Sequence, residues 1–169
     1  MKRFLSPLAA ALLLSACATI PRVEAGSDIH AFLVAVRDND RAAFDAHVDK
    51  EALKASLRAR VMAQAAGSNG AGSLQALGAF LAGPLVDVAA DALIRPEVFR
   101  AVAEMRGYTP SQPIPSGLAI AQFVRPLGDG AVCVVFKKGG PCVLDFRDEG
   151  GVYRLTGFEG DLSMLRPRR

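Results

Sequence analysis

Residues 118–158 read LAIAQFVRPLGDGAVCVVFKKGGPCVLDFRDEGGVYRLTGF, and their pattern sets the architecture of the chain. Four short runs rich in β-branched and aromatic residues, Leu118 to Val124, Ala131 to Lys137, Cys142 to Arg147 and Val152 to Phe158, predict four strands. Between them stand PLGDG, KKGG and DEGG, compositions that suit tight turns because glycine and aspartate tolerate a positive φ. Successive strands joined by tight turns form an antiparallel meander.

The second of those hairpins carries two cysteines. If Lys137 to Gly140 form the loop, Phe136 faces Pro141, Val135 faces Cys142, and Cys133 faces Leu144. Cys133 and Cys142 then lie on one sheet face as diagonal neighbours, near enough for a disulfide after a small adjustment. A slip of one residue would put them on opposite faces and forbid the bond.

Upstream of the strands the period is helical. Thr109 to Gly117, with three prolines, is a connector. Before it, Pro96 opens a helix with Val98, Phe99, Val102 and Met105 inward, closed by Gly107. Pro84 opens another, with Leu85, Val88, Ala89, Ala92 and Leu93 as its stripe and Asp91 and Arg95 paired at i, i+4. Leu74 to Leu81 form a short helix, and 66–73 (AGSNGAGS) a linker; no Lys-Ser or Lys-Thr follows to make this a phosphate-binding loop. Further back, Ile29, Phe32, Leu33 and Val36 mark a helix starting near Ser27 or Asp28. Asp40 caps a second with Phe44 and Val48 inward, and Asp49 caps a third with Leu53, Leu57 and Val61 inward. The other face of that third helix, with Lys50, Glu51, Lys54, Arg58 and Arg60, reads as solvated. Helices first and an antiparallel sheet second make an α+β fold, with the N-terminal helices packed on one face of the C-terminal four-stranded meander.

The N-terminus, MKRFLSPLAAALLLSAC, has two positive residues and then an apolar stretch too short to span a bilayer. Leu14-Ser15-Ala16-Cys17 resembles the bacterial lipobox, which implies cleavage before Cys17 and acyl chains on its thiol. The expected organisation is a signal peptide over 1–16, a lipid-anchored tether over 17–26, one α+β domain over 27–165 and a basic tail over 166–169. Nine extended residues would keep the domain within about 30 Å of the bilayer. Ala18 favours the outer membrane over the inner, and the export route makes Cys133 and Cys142 a disulfide candidate. Of 169 residues, 153 remain after cleavage, with 18 basic and 17 acidic side chains; a net charge of +1 offers no attraction to nucleic acid.

The run AVRDNDRAAFDAHVDKEALKASLRARV resembles the start of the bacterial domain-of-unknown-function family 2939, through Val48-Asp49, Leu53-Lys54 and Ser56-Leu57. The later LVDVAADALIRPEVFRAV is similar to its second block, through Leu85-Val86-Asp87, Leu93 and Pro96-Glu97. These motifs are helix caps and core positions, so the resemblance implies a fold and supplies no catalytic residues. The general layout also resembles the nuclear-transport-factor-2-like folds, in which helices over a curved sheet can leave a pocket; that likeness assigns no chemistry.

No constellation of reactive side chains emerges. Asp45, His47 and Asp49 do not converge, because i and i+2 on a helix point about 200° apart. His47 suits a helix C-terminus, and His30 has no partner at ligand spacing. Ser116-Gly117 lacks the rest of a nucleophile elbow, and Cys133 lies among valines with no base nearby. Asp145 and Glu159 could flank a pocket, and Tyr108 and Tyr153 are the only tyrosines. The expectation is a non-enzymatic envelope lipoprotein, without metal or cofactor, held to the membrane through Cys17 and binding a partner protein or a small apolar ligand. The alternatives are a pocket enzyme of proton-transfer type and a purely structural envelope protein.

Overall fold

The computed structural model describes residues 20–67, 91–137 and 139–158. Cys17, the expected helices between 74 and 90, Glu159 and the tail 166–169 lie outside the described residues. Preceding the sheet among those described are α1 (Ile20–Asp38), α2 (Arg41–Ala46), α3 (Lys50–Gly67), α4 (Pro96–Met105) and α5 (Gly117–Ala121), and residues 91–93 are helical as well. Then come β1 (Val124–Gly128), β2 (Ala131–Val135), β3 (Cys142–Asp148) and β4 (Tyr153–Phe158). The strands pair antiparallel in sequence order, so the fold is α+β with a C-terminal meander. Among the described residues, no helix is long and apolar enough to cross a membrane.

The helices cover one sheet face. Val124, Val132, Phe146, Tyr153 and Leu155 from the strands pack with Ile29, Phe32, Phe44, Val48, Leu53 and Ile94 in one core. Phe32 is at its centre, with ring centroids 5.7 Å from Phe44 and 5.9 Å from both Phe99 and Phe146. The tilted and edge-on ring pairs place ring edges against ring faces, an arrangement favoured by the aromatic quadrupole. Between α2 and α3 the chain docks on the free edge of β4: the Leu155 N–H donates to the His47 carbonyl at 2.9 Å and the Asp49 N–H to the Leu155 carbonyl at 3.0 Å. The pairing of Val48 with Leu155 is parallel and extends the sheet by one residue.

Two elements differ from the expected pattern. The first expected strand, Leu118 to Val124, is instead the helix α5, followed after Gln122 and Phe123 by β1. Ser116 accepts the Ala119 N–H at its N-cap, Ile120 alone of α5 is buried, and Leu118 is 67% exposed. An apolar run this short fits helix and strand alike, and the cap decides it. The second difference is α1, which starts at Ile20 rather than near Ser27, so 20–26 are helix and not tether. Pro21 suits a first helical turn, and the Ser27 hydroxyl donates to the Val23 carbonyl one turn back instead of capping.

Gly26 explains why this extension packs. A Cβ there would run into the Gly117 carbonyl and come within 3.1 Å of the Ala121 Cβ, so α1 and α5 approach backbone to backbone. Gly26→Ala is expected to destabilise the domain by about 1–3 kcal/mol, because the insertion overpacks a site with no flexible neighbour to yield. Denaturant unfolding would show it; an unchanged midpoint would mean that α5 is free to shift.

Candidate functional site

The strands and α3 and α4 do not close completely over one another. A cavity of about 280 Å³ lies between them, near the lower end of the range typical of small-molecule sites. Leu53 and Leu57 line it from α3, Val98, Phe99 and Val102 from α4, and Leu144, Leu155 and Phe158 from β3 and β4. Leu93 and Ile94 complete the wall just before α4. Each face follows from local periodicity: i, i+4 on α3 and i, i+1, i+4 on α4 bring those side chains to one side. Among the described residues, no ionisable side chain lines this cavity.

A charged clasp ties two of its walls together. The Lys54 ammonium, 8% exposed as a residue, is 2.9 Å from the Asp91 carboxylate and 3.1 Å from that of Glu51. Its hydrogen bond to Asp91, and then that to Glu51, raise its pKa; the same contact lowers that of Asp91. Lys54 thus differs from the solvated position expected for it. Asp91 pairs with Lys54 rather than with the side chain at i+4, and Arg95 Nε instead donates to the Asp91 carbonyl. Sequence spacing along one helix could not show a partner on another helix. Met105, expected inward, is half exposed at the end of α4.

The other candidate residues are dispersed. The His30 Nδ1 is 2.8 Å from the Pro115 carbonyl, which can only accept, so the proton is on that nitrogen and fastens α1 to the connector. His47 does the same for the Ala43 carbonyl at the end of α2. Asp45 pairs with Lys50 at 2.9 Å, and Asp49 caps α3 by accepting the Ala52 N–H at 3.0 Å. Tyr153 is in the core, its N–H bonded to Asp28 and its phenol pushed up in pKa first by burial. Tyr108 is half-buried just past α4.

A disulfide joins Cys133 and Cys142, with Cα atoms 5.5 Å apart. The register corrects one detail: Val135 faces Cys142 as expected, but Cys133 faces Asp145 and not Leu144. A bulge at Val143 takes up the extra residue while leaving both sulfurs on one face, where the Arg125 guanidinium donates to the Cys142 Sγ at 2.7 Å. The two sulfurs and the Asp145 carboxylate have potential ligand atoms within 4.8 Å of one another. Sulfurs bonded to each other leave no thiolate for a metal, so this cluster is structural in the oxidised chain.

One carboxylate is perturbed away from the cavity. Burial, and then the facing Asp49 carboxyl, push Glu149 above its ordinary pKa, although Arg154 is 3.4 Å away. An acid whose folded pKa is raised holds its proton longer in the folded state, so its contribution falls as pH rises from the unfolded value of about 4.5 through the folded one. Glu149→Gln is expected to flatten that part of the stability–pH profile, and an unchanged slope would place the effect elsewhere.

The model of a family described as a protein of unknown function, DUF2939, matches residues 10–102, more than half of the chain. The chain belongs to this family. The matched span covers α1, α2, α3 and the first part of α4, that is, the helical side of the core and of the cavity, so the DUF2939 assignment reaches the site but not the sheet beneath it. No curated protein and no solved structure matches the chain.

Proposed function

We propose that this protein is a cell-envelope lipoprotein, anchored through acyl chains on Cys17, whose domain holds a small apolar ligand in the cavity between α3, α4 and the sheet. The observation that carries the ligand reading is the lining of that cavity, made of aliphatic side chains and two phenylalanines. Such a wall gains free energy by removing apolar surface from water, at roughly 25 cal/mol per Å², and offers nothing to orient a polar substrate. Proton-transfer chemistry would need two ionisable groups converging in the cavity, and among the described residues Asp145, Tyr108 and Tyr153 do not line it. The anchor reading is supported by the Leu14-Ser15-Ala16-Cys17 sequence behind a short apolar signal, with Ala18 favouring the outer membrane and the domain facing the periplasm.

Native mass spectrometry tests the ligand. A Cys17→Ser chain behind an ordinary cleavable signal, keeping Ile20 because α1 begins there, is expected to carry a stoichiometric extra mass that organic solvent releases. Leu57→Trp, which fills the cavity, is expected to abolish it. A clean ligand-free mass for the unfilled protein would overturn the reading in favour of a partner protein or a structural role. The anchor is tested apart from this: Cys17→Ser should abolish palmitate labelling, and persistent labelling would refute it.

A further inference from the structure

The start of the described chain, the start of β1 and the β2–β3 hairpin meet at one end of the molecule. Arg22, on the first turn of α1, lines a shallow recess of about 240 Å³ with Phe123, Arg125 and Gly139. Large apolar side chains stand in solvent around it: Phe123 is 42% exposed, and Phe136, next to Lys137, is 74% exposed. β1 is an edge strand of the sheet, and Leu127 is exposed along it. The cations on these segments are Arg22, Arg125 and Lys137, and the acidic residues are Glu24, Asp129 and Asp145, whose carboxylate is within 4.8 Å of the Cys142 sulfur.

We propose that this end is a second, non-covalent membrane contact, in which the Phe123 and Phe136 rings enter the head-group layer of a bilayer containing anionic phospholipid and the surrounding cations meet its phosphates. Aromatic rings flanked by lysine and arginine match that layer, apolar below and negatively charged above. The position of the chain end supports the same occupant. Only Ala18 and Thr19 lie between Cys17 and Ile20, three residue steps with a reach of about 10 Å when extended. An anchor at Cys17 therefore holds Arg22 and the recess beside it against the bilayer, far closer than a nine-residue tether would. The inference rests on the Cys17 reading for that proximity, and its test separates the two.

The chain contains no tryptophan, so Phe136→Trp, at an exposed position, introduces a single indole without disturbing the core. The variant, purified from envelopes, is reconstituted in phosphatidylcholine vesicles containing phosphatidylglycerol, with or without brominated acyl chains. Docking would seat the ring about 5–10 Å into the head-group and acyl boundary, giving a blue-shifted emission that brominated chains reduce by about twofold or more. Adding Lys137→Glu reverses a charge at the surface and is expected to weaken the contact by at least about fivefold, read as loss of that quenching. Met105→Trp, on the half-exposed end of α4, is expected to stay unquenched. An aqueous, unquenched emission at position 136, or equal quenching at positions 105 and 136, would overturn the docking face. The mass of the N-terminal fragment reports the anchor independently. A lipidated Cys17 with no quenching at position 136 would retain the anchor and reject the face; quenching without lipid on Cys17 would do the reverse.

Discussion

Phe44→Ala is expected to cost about 3–5 kcal/mol of folding stability. Phe44 is fully buried and is the only buried residue of α2, a helix of six residues. A helix that short has no stability of its own in water, so its place in the fold depends on this one side chain. The ring lies 5.7 Å from Phe32 and 5.3 Å from Phe99, and thus joins α1, α2 and α4. Its removal leaves a cavity among aromatic neighbours that cannot all collapse inward. It also loosens the segment immediately after α2, whose hydrogen bonds extend the sheet at Leu155. For a domain of this size the loss corresponds to a fall in melting temperature of roughly 10 °C. Phe136→Ala, at an exposed ring, should stay within about 0.5 kcal/mol. Calorimetry on the pair would decide it: comparable losses from both would mean that the aromatic cluster does not organise the core.

The core was largely legible in the sequence because its positions repeat with a period. Ile29, Phe32 and Val36 on α1, Leu53 on α3 and the alternate residues of β4 are buried where helical or strand spacing places them. The DG turn between β1 and β2 was equally plain: Asp129 and Gly130 both have positive φ, the backbone that this pair of residues tolerates. What escaped was decided by contacts between segments distant in sequence. The reach of α1 back to Ile20 depends on Gly26 meeting Gly117, and no local pattern announces an approach across ninety residues. The burial of Lys54 depends on Asp91, which belongs to another helix. The cavity was legible only in part. Its wall residues were recognisable as apolar stripes, but a stripe reads the same whether it packs tightly or leaves a void, because the outcome depends on how the helices cross over the sheet.

Reduction of the Cys133–Cys142 bond is expected to have the second-largest effect, about 2–3 kcal/mol. The cross-link closes a loop with a sequence separation of nine, and chain-entropy arguments assign roughly that stabilisation to so short a closure. Both sulfurs are buried beside Val135 in a small cluster apart from the main core, on the side of the sheet away from it. Little else holds that face: the hairpin has a bulge at Val143, and Arg125 is tied to the Gly140 carbonyl and to the Cys142 sulfur. Opening the bond should therefore loosen the β2–β3 hairpin first, while the aromatic core on the opposite face persists. Two readouts follow. Unfolding in reductant should shift to lower denaturant, and a Cys133→Ala, Cys142→Ala double variant should reproduce that shift without reductant. Hydrogen exchange should then quicken at Val135 well before it does at Phe146 or Leu155, whose side chains are buried in the main core. Equal protection losses on both sides would show that the disulfide supports the whole sheet, and no shift at all would show that the ladder hydrogen bonds alone fix the hairpin.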